Sequence, residues 1–178
     1  MKRLLSHKPG AIVPGALLFF LLGRFAVIPS PVPTVNLCLQ YGLLAFWAVV
    51  FGPIVGGLAG LLGHICIDLT YGAPCWSWII ATAAFGALTG GLAAITRINT
   101  VPLTREDLIR FNLIQIAVHV VCWAGVAPVL EIVLYNESMD LIFAQGLTAA
   151  IANTVTTAIV GSGLLLAAKY FAFPEKSA

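Results

Sequence analysis

The chain has 178 residues, 60% of them hydrophobic and only 9% charged, with a net charge of +2 and a mean hydropathy of +1.01. A soluble domain presents about 25% charged residues to water, so a water-soluble fold is excluded and an all-α integral membrane protein is expected. No basic stripe interleaved with aromatics marks a nucleic-acid partner, and no Walker A, H-E-x-x-H or C-x-x-C motif marks an ATPase, a zinc hydrolase or a thiol-based cofactor site.

A transmembrane helix needs about 20 apolar residues, from ~17 to ~25. On that measure the chain divides into six candidate spans forming one domain, 1–178. The first covers Gly10 to Ile28; the basic stretch before it and its full length read as a retained helix rather than a cleaved signal. It ends at "PSPVPTVN", where three prolines forbid helix continuation. The second covers Leu37 to Val50 and stops at Gly52-Pro53. The third, Ile54 to Leu69, stops at "TYGAP". The fourth covers Trp76 to Ile95 and gives way to the polar linker "TRINTVPLTRED". Thr104 suits an N-cap there, with Glu106 and Asp107 in the first turn. The fifth covers Leu108 to Tyr135, with Pro128 as a kink, and the sixth covers Leu141 to Phe171. No close internal repeat is visible.

Basic residues orient this arrangement. With both termini cytoplasmic, the inner side holds Lys2, Arg3, Lys8, Arg97, Arg105, Arg110, Lys169 and Lys176, leaving Arg24 alone on the outer half. That is the bias of the positive-inside rule. The outer loops then collect Tyr71, Trp76, Trp78 and Tyr135, which read either as an interfacial belt or as the rim of a pocket. Cys38 and Cys75 lie near predicted loop ends, which leaves a disulfide open beside the plainer reading of the cysteines as small apolar fillers.

Polar side chains in a bilayer are costly, about 2.5–3.5 kcal/mol for a charge at a helix centre, and so face the protein interior or a wet cavity. In the third span Gly56, Gly60, His64 and Asp68 recur at intervals of four and share one face. Its small end lets a neighbouring helix approach closely, and its polar end lies toward the outside. His64 and Asp68 read either as a structural clamp, hydrogen-bonded to each other, or as ligand contacts. In the fifth span Asn112, Gln115, His119 and Cys122 form a second stripe, read first as interhelical packing. Arg24 is expected to pair with Asp68 or Glu131, because an unpaired buried charge is expensive.

The strings "LQYGLLAFWAVVFGPIVGGLAGLLGH", "FNLIQIAVHVVCWAGVAPVLEIVLY" and "IFAQGLTAAIANTVTTAIVGSGLLL" resemble the S components of energy-coupling factor (ECF) transporters, in the riboflavin-type and UPF0397-like branch, over about residues 30 to 168. The resemblance implies a six-helix bundle in a prokaryotic plasma membrane. It binds a vitamin or related micronutrient from outside, with a cobalamin-like corrinoid or riboflavin as first candidates. A coupling transmembrane subunit and two ATPases are the implied partners, and the S component is thought to turn over in the membrane to release its cargo. The family's small-x-x-x-small docking motif in the first helix is matched by Ala11 and Gly15, with Pro14 a departure; Ile67 stands where the branch often has a lysine.

On this reading the binding residues are Asn36, Gln40, His64, Asp68, Trp76, Trp78, His119, Trp123, Glu131 and Gln145. Several tryptophans and hydrogen-bonding groups suit a ring-shaped, partly polar ligand. No cofactor, no metal and no catalytic residue is expected. Two other classes stay open: a self-sufficient small-solute carrier or channel, and an intramembrane metal-dependent hydrolase built on His64 and Asp68 with His119 or Glu131.

Overall fold

The computed structural model describes residues 8–29, 36–98, 100 and 102–172. Lys2, Arg3 and Lys176, and most of the proline-rich loop, lie outside the described residues. After a single 3-10 turn at Lys8–Ala11, the helices are α1 (Ile12–Phe25), α2 (Gln40–Phe51), α3 (Pro53–Leu69), α4 (Trp76–Ile95), α5 (Arg105–Val121), α6 (Ala127–Tyr135) and α7 (Met139–Ala172). A π-turn at Cys122–Val126 joins α5 to α6 into one rod. Three rods, Trp76–Ile95, Arg105–Tyr135 and Met139–Ala168, are long and apolar enough to cross a membrane; Pro9–Phe25, Gln40–Phe51 and Pro53–Leu69 are shorter apolar helices.

Local chemistry sets the breaks. Gly52 adopts φ 95°, a conformation that disfavours side chains, and Pro53 follows at the first helical position, where its missing N–H costs nothing. Thr104 caps α5 in a reciprocal capping box with Asp107. Asn136 takes a left-handed conformation to close α6. Pro128 cannot donate to the ladder, and the chain widens into the π-turn just before it, with Ala127 N–H reaching back to the Cys122 carbonyl. The kink expected at Pro128 therefore takes the form of a π-turn. A Cβ on Gly146 of α7 would overlap the Trp123 carbonyl oxygen, so the widened turn and a bare glycine fit against each other.

The tightest seam lies between α3 and α4, with α1 on the other flank of α3. The glycine stripe of α3 makes it possible. A Cβ on Gly56 would meet Ala48 Cβ at 2.6 Å and the Gly86 carbonyl oxygen at 2.8 Å, and one on Gly60 would meet the Thr82 carbonyl oxygen at 3.0 Å. The facing stripe on α4 has the same spacing in reverse: Gly90, Gly86, Thr82, Trp78. In lipid no hydrophobic force drives helices together, so close van der Waals packing of small residues carries the association.

Phe19, Tyr41, Phe85, His119 and Trp123 form the central core, with ring centroids 5.5 Å apart for Phe19 and Tyr41, 5.0 Å for Tyr41 and Trp123, and 4.3 Å for Phe85 and His119. A short antiparallel hairpin, β1 (Val27–Pro29) with β2 (Asn36–Cys38), pairs Val27 with Cys38 and Pro29 with Asn36. The sequence predicts no strands here and a second helix from Leu37. Three-residue strands flanked by prolines are too short to show a two-residue period.

Candidate functional site

One end of the bundle, where α1 and α3 finish and α2 and α4 begin, holds a cavity of about 400 Å³. The hairpin contributes Val27, Asn36 and Cys38 to it, α2 contributes Gln40 and Tyr41, and α3 contributes His64 and Asp68. Trp78 of α4 closes one side. Beyond it lies a second cavity of about 290 Å³, lined by Trp78, Glu131, Glu137 and Gln145 among others.

His64 and Asp68 are one helical turn apart because α3 is regular there, and His64 Nε2 lies 3.5 Å from Asp68 Oδ1. The other ring nitrogen, Nδ1, lies 2.6 Å from Thr82 Oγ1, which also reaches Tyr41 Oη at 3.3 Å. Asp68 Oδ2 accepts from the Cys75 backbone N–H at 2.8 Å and so ties the α3–α4 loop down. His64 and Asp68 thus lie close to each other, and both line the cavity.

Glu131 is buried at the start of the second cavity. Its Oε1 accepts from the Ser77 hydroxyl and, at 3.2 Å, from the Cys75 thiol. Burial pushes the Cys75 thiol up, reinforced by the Glu131 carboxylate, while Ser77 pulls it down. Burial raises Cys38 to about 11, against the opposing hydrogen bond from Gln40. Both thiols are therefore protonated donors near neutral pH.

The ten expected binding residues fall into three groups. Asn36, Gln40, His64, Asp68 and Trp78 share the larger cavity, and Glu131 and Gln145 share the smaller one with Trp78. His119 and Trp123 are fully buried in the aromatic core beneath, and Trp76 is 48% exposed, its backbone N–H donating to Tyr135 Oη at 3.0 Å. None of these last three lines either cavity.

Several expectations are corrected. Arg24 does not pair with Asp68 or Glu131; its guanidinium lies 4.7 Å over the Tyr71 ring and donates to Tyr71 Oη at 3.4 Å. A cation over an aromatic face at the bundle end meets the need for a partner without a carboxylate. Cys38 and Cys75 are free thiols, held by different partners. Ala11 and Gly15, the expected docking pair, pack against Trp47. Both are buried, the Trp47 indole N–H donates to the Ala11 carbonyl at 2.9 Å, and a Cβ on Gly15 would meet Trp47 Nε1 at 2.5 Å. Among the described residues no three His, Cys, Asp or Glu side chains come together as a metal site, so the triad of His64, Asp68 and His119 or Glu131 is not assembled. In the fifth rod, Asn112 donates to Ser162 Oγ at 3.0 Å and Gln115 to the Thr154 carbonyl at 3.3 Å, the interhelical packing expected of that stripe.

Thr82 and Tyr41 have no expected role in the sequence, and Cys75 stands there only as a disulfide candidate. The signal for Thr82 was the α4 stripe Trp78, Thr82, Gly86, Gly90, which runs antiparallel to the stripe on α3 and brings Thr82 opposite His64.

A bundle of apolar helices with a polar cavity at one end is the form of a membrane solute-binding subunit. The chain belongs to the ECF-type riboflavin transporter S component family, whose family model matches residues 11–170. UPF0397 proteins of Staphylococcus aureus are similar over 158 residues, 88% of this chain and 86% of theirs: those of strains bovine RF122 / ET3-1 and MSSA476 at 39% identity, and that of strain Newman at 38%. No solved structure matches the chain. It is thus a substrate-binding S component of an ECF-type importer, a transport subunit by family.

Proposed function

We propose that the chain captures a ring-shaped micronutrient in the 400 Å³ cavity from outside the cell and delivers it inward together with a coupling transmembrane subunit and two ATPases. The observation that carries this reading is the convergence of Asn36, Gln40, His64, Asp68 and Trp78 on one cavity at one end of an apolar bundle. Desolvated polar groups are tolerated in lipid only toward such a cavity or a partner. In a six-span arrangement with both termini in the cytoplasm, that end faces outward, and Arg97, Arg105 and Arg110 lie at the opposite end in accord with the positive-inside rule.

Size narrows the cargo. A cavity of about 400 Å³ suits one ring system of drug-like dimensions, the size class of riboflavin; a corrinoid is far larger. Tyr41 lines the cavity and packs edge to face against the buried rings of Phe85, His119 and Trp123, which favours a binding vessel over a channel or self-sufficient carrier. The test is paired. In nanodiscs the chain alone is expected to bind a ring vitamin with 1:1 stoichiometry by calorimetry. In cells, uptake is expected only when a coupling subunit and ATPases are co-expressed. Uptake by the chain alone in liposomes would refute the subunit reading.

A further inference from the structure

The interior of the bundle holds more polar atoms than its own hydrogen bonds engage. Among the described residues, seven buried side-chain nitrogens and oxygens have no hydrogen-bond partner, and five of them sit on two facing rods. These are Gln115 Oε1 and His119 Nε2 on α5, Trp123 Nε1 on the π-turn, and Asn153 Oδ1 and Thr157 Oγ1 on α7. Asn153 is 3% exposed and the other side chains are buried more deeply still or equally, and none of the five lines either cavity. Three contacts set the two rods antiparallel. A Cβ on Gly161 would meet the Phe111 ring at 2.7 Å, Gln115 Nε2 donates to the Thr154 carbonyl at 3.3 Å, and Gly146 lies against the Trp123 carbonyl. Gly146, Ala150, Asn153, Thr157 and Gly161 follow one another at helical steps of three and four, so Asn153 and Thr157 share the α7 face that carries these contacts. In that register Gln115 is level with Thr157 and His119 with Asn153. The Trp123 ring stands 6.4 Å from that of His119.

The five groups do not satisfy one another. His119 Nδ1 lies 2.7 Å from the Gln115 carbonyl, which only accepts, so Nδ1 carries the ring proton and Nε2 of the neutral ring is an acceptor. The Gln115 and Asn153 amide oxygens accept as well. The Trp123 N–H and the Thr157 hydroxyl supply two protons for these three acceptors. Unmet polar groups in a core are costly, and buried clusters of them are met by ordered water, which both donates and accepts and typically makes about three hydrogen bonds. An ion does not suit the set, because none of the five groups carries a charge. A larger guest does not suit it either, because the contacts at Gly146 and Gly161 hold the rods together on both sides of the cluster. We propose that the seam between α5 and α7 is a built site for ordered water, with one molecule at the level of Gln115 and Thr157 and one at the level of His119, Asn153 and Trp123. These waters take the place of interhelical hydrogen bonds that the five atoms do not make directly.

The experiment is X-ray hydroxyl-radical footprinting of the full chain in nanodiscs, read by mass spectrometry, with each residue scaled to its labelling in the unfolded chain. Water held against a buried side chain is the source of the radical that marks it. Trp123 and His119 are expected to be labelled about fivefold or more above Leu44 and Leu165, which are buried to the same degree. Thr157→Val and Asn153→Leu keep the branched shape and remove the hydrogen-bonding group. Each is expected to lower the melting temperature by about 2–4 °C, and Asn153→Leu is expected to cut the labelling of Trp123 and His119 at least by half. Labelling of Trp123 and His119 no higher than that of the two leucines overturns the inference. A raised melting temperature in both variants also overturns it, since an apolar replacement relieves a buried polar group that nothing meets.

Discussion

A single hydroxyl organises the charged end of α3. Thr82 Oγ1 has one proton and three neighbours, His64 Nδ1 at 2.6 Å, Tyr41 Oη at 3.3 Å and the Trp78 carbonyl at 2.9 Å. Thr82 donates its one proton to the Trp78 carbonyl, so Oγ1 accepts from the Tyr41 hydroxyl and from a proton on His64 Nδ1. Tyr41 and His64 thus converge on one oxygen, with Asp68 Oδ1 3.5 Å from the other ring nitrogen. Thr82→Val keeps the shape and removes the link. It is expected to lower unfolding free energy by about 1–3 kcal/mol, the cost of leaving a buried polar partner unmet, and to move the His64 tautomer, read from imidazole nitrogen shifts. Unchanged stability together with an unchanged tautomer would count against this order of bonds. His64 and Asp68 were legible in the sequence because a charge stands out in an apolar helix. Thr82 was not, because a threonine in such a helix commonly bonds its own i−4 carbonyl, as this one also does.

At the level of elements, the α3–α4 pair is fixed by glycines that nothing else can replace. A Cβ on Gly86 would overlap the Gly56 carbonyl oxygen, whereas one on Gly91, five residues on in the same helix, would meet nothing within 4 Å. Gly86→Ala is therefore expected to destabilise by about 1–3 kcal/mol through overpacking. Gly91→Ala is expected to be neutral or stabilising by up to about 1 kcal/mol, the intrinsic gain of alanine over glycine in a helix. Thermal unfolding of the two variants in one detergent makes the comparison, and equal melting temperatures would contradict the backbone contact. The sequence carried this seam in its four-residue spacing, and it carried the bounds of α4 because "TYGAP" and "TRINTVPLTRED" are strong punctuation. It did not carry the β1–β2 hairpin, whose strands pair across a proline-rich loop, nor the inward turn of Ala11 and Gly15, which is decided by Trp47 thirty-six residues from Ala11. Long-range partners of that kind leave no local period to read.

For the molecule as a whole, orientation in the bilayer decides which compartment fills the cavity. Glu137 sits at the cavity end, and Arg97 follows the far end of α4. In a background with the native cysteines replaced by serine, Glu137→Cys is expected to react with a membrane-impermeant thiol reagent in intact cells. Arg97→Cys is expected to react only after permeabilisation. The reverse pattern would invert the topology and the direction of capture. Six apolar segments were readable from composition; three of them have the length to cross a bilayer, and Pro9–Phe25, Gln40–Phe51 and Pro53–Leu69 are shorter. The shape of the cavity was not readable, since it depends on residues that α1, the hairpin, α2, α3, α4 and α7 bring from separate stretches of chain.

The glycine contact between α3 and α4 also restricts how the bundle can breathe. With backbone against backbone there is no layer of side chains to slide, so His64, Asp68, Thr82 and Trp78 travel as one rigid plate. The other walls come from α1, the hairpin and α2, with Ala149 of α7, so cargo entry that leaves this plate intact has to displace those elements against it.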